Sequence, residues 1–94
     1  MSAKEMFEKL GYKIDKHEDY IVYWKLAQRQ MPNFYHLQNE IQIEFNFYYK
    51  TIEKRTTRPS YEEDTIITLE ELQAINKQVE ELGWNEWWSK RTIR

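Results

Sequence analysis

The stretch "EIQIEFNF", residues 40–47, decides how this chain is read. Ile41, Ile43, Phe45 and Phe47 alternate with Glu40, Gln42, Glu44 and Asn46. Successive side chains of a strand point to opposite faces, so the alternation predicts a β-strand with one dry side and one wet side. Half-wet strands belong to antiparallel sheets, whose dry face needs cover. The flanking segments have to supply both partner strands and that cover.

Upstream, "DYIVYWKLAQ", residues 19–28, is rich in β-branched and aromatic residues. Tyr20, Val22, Trp24 and Leu26 fall on one side and Ile21 and Tyr23 on the other. Both sides are partly apolar, as suits a central strand. Downstream, "TIEKRTT", residues 51–57, follows after the short break "YYK" and reads as the return arm of a hairpin. Residues 29–38, "RQMPNFYHLQ", contain Pro32 and Asn33 and read as a wide connection with room for a short strand over 34–37. "RPSYEED", residues 58–64, is a second irregular segment, and Arg58, standing before Pro59, is biased toward extended backbone.

Cover comes from the two ends. In "SAKEMFEKLGY", residues 2–12, Ser2 and Glu5 have capping-box spacing, and Ala3, Met6, Phe7 and Leu10 gather on one helical face. In "ITLEELQAINKQVEELGW", residues 67–84, Thr68 and Glu71 form a second capping box with Ile67 and Leu72 at the staple positions. Leu69, Leu72, Ile75, Val79 and Leu82 lie within an arc of roughly 140° at the helical step and are expected to form the buried stripe. The chain's two glycines, Gly11 and Gly83, each follow a leucine and precede an aromatic residue. Both are predicted helix stops, because the position after the last turn favours a left-handed backbone. The predicted order is α-β-β-β-α: an α+β fold with a three-stranded antiparallel sheet and two helices packed on one face. It is expected to be a single domain over residues 1–94, with an aromatic and basic C-terminal tail at 84–94.

Composition agrees with that reading. A chain of 94 residues has room for one core. Its 40% hydrophobic and 32% charged residues are ordinary for a globular protein, while 16% aromatic residues bring large buried areas to a small domain. There is no cysteine, which excludes disulfides and thiolate metal sites and suits a reducing cytoplasm. A net charge of −2 gives no global pull toward nucleic acid or acidic membrane. No run resembles a signal peptide or a spanning helix, so no membrane association is expected.

The runs "TLEELQAINKQVEELGW" and "KEMFEKLGYK", with an extended segment after "HEDYIVYWK" and a hairpin around "IEFN", resemble small proteins of unknown function carried by bacteriophages and prophages of low-GC Gram-positive bacteria. The resemblance implies an intracellular accessory protein of a mobile element and carries no catalytic motif. The tail "NEWWSKRTIR" and the loop "RQMPNFYHLQ" depart from the pattern.

Catalysis has little to work with. Ser2, Ser60 and Ser89 lack a glycine-rich strained turn of the nucleophile-elbow type, and no phosphate loop is present. His17 and His36 are the only histidines. Neither they, with Asp15, Glu18 and Asp19, nor the acidic run Glu62 to Asp64 shows metal-loop spacing. The chain is therefore expected to be no enzyme and to use no cofactor and no metal.

Binding is the better expectation. Trp84, Trp87 and Trp88 would share one face if helical spacing continued, and Lys90, Arg91 and Arg94 follow them. They either close the open end of the core or present an apolar, cation-rimmed patch to another protein. On the second reading Trp87, Trp88 and Arg91, with Phe34 and Tyr35 of the loop, contact a protein partner or a second copy of the chain. The alternative is weak nucleic-acid binding, with Tyr48 and Tyr49 stacking bases and Lys50, Lys54, Arg55 and Arg58 holding phosphates. Glu53 interrupts that patch, and Glu40 and Glu44 can pair with its cations across the sheet.

Overall fold

A computed structural model describes residues 1–27, 40–56 and 65–84. They fall into two compact units, one over Tyr12–Ile66 and the other combining Met1–Gly11 with the chain from Ile67 onward. Together they give an α+β chain with two helices and one antiparallel sheet.

The sheet has four strands, where the sequence predicts three. β1 is Lys13–Lys16, β2 Tyr20–Leu26, β3 Glu40–Asn46 and β4 Thr51–Thr56, paired in the order β1-β2-β3-β4 with every neighbour antiparallel. The additional strand, "KIDK", has one apolar residue in four, too few to show a period of two. Its partner defines it: Ile14 lies opposite Tyr23 and Lys16 opposite Ile21. Short, charged strands are also what sheets place at their edges, where unpaired backbone would otherwise recruit other chains.

β3 alternates as its sequence predicts. Ile41, Ile43 and Phe45 are buried, while Glu40, Gln42, Glu44 and Asn46 are half-buried. The register sets Ile21 opposite Phe45 and Tyr23 opposite Ile43, so these residues share one face. On that face the Tyr23 and Phe45 rings meet edge-on at 6.0 Å, a favoured aromatic geometry. β2 is central, with a partner along each edge, and Val22 on its second face is also nearly covered. Both hairpin turns next to β2 and β3 are tied. The His17 amide donates to the Tyr20 carbonyl at 2.8 Å, and the two side-chain rings stack at 4.3 Å. In the β3–β4 turn the Tyr49 amide donates to Asn46 Oδ1 at 3.0 Å, and Lys50 takes the left-handed conformation with φ of 53°.

In the other unit, α1 (Ala3–Lys9) and α2 (Leu69–Glu81) both begin with the predicted capping boxes. Ser2 Oγ accepts the Glu5 amide at 3.1 Å while the Ser2 amide donates to Glu5 Oε1 at 3.2 Å. That backbone donor, then the Ser2 hydroxyl, holds the Glu5 carboxyl below its ordinary pKa. Thr68 and Glu71 repeat the arrangement at 3.1 and 3.0 Å. Gly11 and Gly83 stand at φ of 90° and 76°, the left-handed positions predicted for the two helix stops. The helices contact each other, and Glu81 Oε2 of α2 accepts the Ala3 amide of α1 at 2.8 Å. The carboxylate satisfies a donor that α1 cannot pair within its own first turn.

The expected stripe of α2 needs correction. Its buried residues are Glu71, Ala74, Ile75 and Gln78, whereas Leu69 is 67% and Leu72 44% exposed. At about 100° per residue, the buried arc is turned roughly 90° from the one read off the large aliphatic residues. Ala74 and the capping-box Glu71 account for the shift: a small residue allows close approach, and the Glu71 carboxylate already has a donor in the Thr68 amide. Of the predicted stripe, Ile75 is buried and Val79 and Leu82 are half-buried.

Candidate functional site

Trp87, Trp88 and Arg91 of the tail, Phe34 and Tyr35 of the loop, and Arg58 all lie outside the described residues, as do His36 and the acids at 62–64. Two surfaces remain, one in each unit.

The first is the β3–β4 hairpin with its cations. Tyr48 and Tyr49 are 82% and 71% exposed and meet edge-on at 4.8 Å at its tip, next to Lys50. The two cations farther along β4 do not join them in one surface. Lys54 stands opposite Ile43 and Arg55 opposite Gln42, so the two side chains leave opposite faces of the sheet. Both are engaged. Lys54 Nζ donates to the Ile66 carbonyl at 2.6 Å. Arg55 donates through Nε to Gln42 Oε1 at 3.0 Å and through Nη2 to Glu44 Oε1 at 2.9 Å, and its Nη1 lies 3.5 Å from Glu53 Oε2. A guanidinium held by an amide and two carboxylates has few donors left for a phosphate.

On the face that Arg55 shares with Trp24, a row runs across the strands from Lys13 through Trp24 and Gln42 to Arg55. Lys13 Nζ lies 5.2 Å from the centre of the Trp24 ring, within cation–π range. The indole Nε1 is buried and makes no hydrogen bond. Among the described residues no group of three or more His, Asp or Glu side chains is placed to hold a metal ion.

The second surface is the start of α2. Ile67, Leu69 and Leu72 are 46%, 67% and 44% exposed around a well-formed N-cap. Leu69 lies about 170° around the helix from the centre of the buried arc, so it points away from the residues that α2 buries. Helical spacing alone places Leu69 and Leu72 in the core and so hides this surface. A usable signal was present: "IITLEEL", residues 66–72, crowds four large aliphatic residues around one N-cap, and a hydrophobic staple needs two.

Comparison of the chain with protein-family models, with curated proteins and with solved structures finds no match. No described helix is long and apolar enough to cross a membrane.

Proposed function

We propose that the chain is a non-enzymatic protein-interaction module that contacts its partner, another protein or a second copy, through the start of α2. The observation that carries the reading is the exposure of Leu69, Leu72 and Ile67 on a helix whose buried arc lies elsewhere. Contiguous apolar surface on a folded domain is costly to leave in water and marks contact sites. The tail residues Trp87, Trp88 and Arg91 and the loop residues Phe34 and Tyr35 belong to the same proposal, as does a cytoplasmic role of the accessory kind that the resemblance to phage and prophage proteins implies. So does the expectation that the two helices cover the apolar face of the sheet. Nucleic-acid binding is the weaker reading, because Lys54 and Arg55 are engaged and leave opposite faces.

The test is a photo-crosslinking side chain introduced at position 69 and, as a control, at the exposed position 4. Irradiation in cell extract, and of the purified protein alone, is expected to give a discrete protein adduct from position 69. That adduct should fall when Leu72 is replaced by Ser. Equal labelling from both positions, or none from position 69, would overturn the proposal.

A further inference from the structure

We draw no further inference here: the strongest candidate, the surface patch at the tip of the β3–β4 hairpin where the exposed rings of Tyr48 and Tyr49 meet edge-on, carries nothing because nothing in the structure shows what covers it.

Discussion

β3 and α2 carry equally clear apolar patterns, yet one places its side chains where the pattern says and the other does not. In β3, Ile43 and Phe45 have no exposed surface. In α2, Leu69 and Leu72 belong to a regular apolar stripe and face solvent. The difference is geometric. A strand has two faces, so an alternating pattern leaves one binary choice, and a one-residue slip would expose the whole set. A helix turns through 360°, and its buried arc can settle at any phase that also fits small residues and satisfied polar ones. Glu71 and Gln78 count as polar in a pattern, but they are buried here.

The comparison is broken most directly by truncating one residue from each element. Phe45→Ala is expected to cost about 3–5 kcal/mol of unfolding free energy, as deletion of a buried ring does. Leu69→Ala should change stability by no more than about 0.5 kcal/mol, the usual range for exposed positions. Urea titrations followed by tryptophan fluorescence measure both. If Phe45→Ala is too unstable to study, Ile43→Val gives a graded version, with a loss of about 0.5–1.5 kcal/mol. A Leu69→Ala loss approaching that of the core variants would mean that α2 buries the stripe read from its sequence.

The phase of α2 can also be tested from its buried side. Ala74 has no exposed surface, so Ala74→Leu should force neighbouring side chains off their rotamers and cost about 1–3 kcal/mol. On the phase read from the large aliphatic residues, position 74 would lie about 80° beyond the edge of the stripe, on the wet side, and accept leucine at little cost. A neutral or stabilising result in thermal melts would therefore restore the original reading.

Between the helices, one contact has no counterpart in the sheet. Glu81 reaches the Ala3 amide at 2.8 Å, and Ala3 itself is fully buried. Glu81→Ala should cost about 1–2 kcal/mol, the penalty for leaving a buried donor unpaired. Hydrogen exchange at Ala3 should accelerate with it. Unchanged protection of that amide would show that another acceptor takes over.

Legibility follows the same division. Both capping boxes, both glycine stops and the alternation of β3 are local patterns of a few residues, and each was readable from spacing alone. So was the contact that engages one cation of β4: Glu44 pairs with Arg55 across the strands, whereas Lys54 donates to the Ile66 carbonyl instead. β1 was not readable, because "KIDK" becomes a strand through what β2 offers it, and its own composition carries almost no apolar signal. The candidate surface on α2 was hidden for the opposite reason. Leu69 and Leu72 looked like core because they are leucines at helical spacing, and hydrophobicity alone does not reveal which phase a helix will bury.

The smallest expected effect separates the two halves of a capping box. The Glu5 carboxyl is held below the ordinary range because the Ser2 amide, and then its hydroxyl, favour the charged form. A folded-state pKa depressed in this way adds stability at pH above the unfolded value, about 4.3 for glutamate, and that contribution disappears as pH falls through the lower folded value. Glu5→Gln keeps an oxygen to accept the Ser2 amide but carries no titrating charge. Below the folded pKa the wild type and the variant should therefore converge in stability, while near neutrality the wild type should hold a small advantage. A side-chain NMR titration of Glu5 that places its pKa at or above the ordinary glutamate value would refute the assignment. So would an offset between the two proteins that stays constant across the acid range, because a pH-independent difference cannot come from a carboxyl that titrates within it.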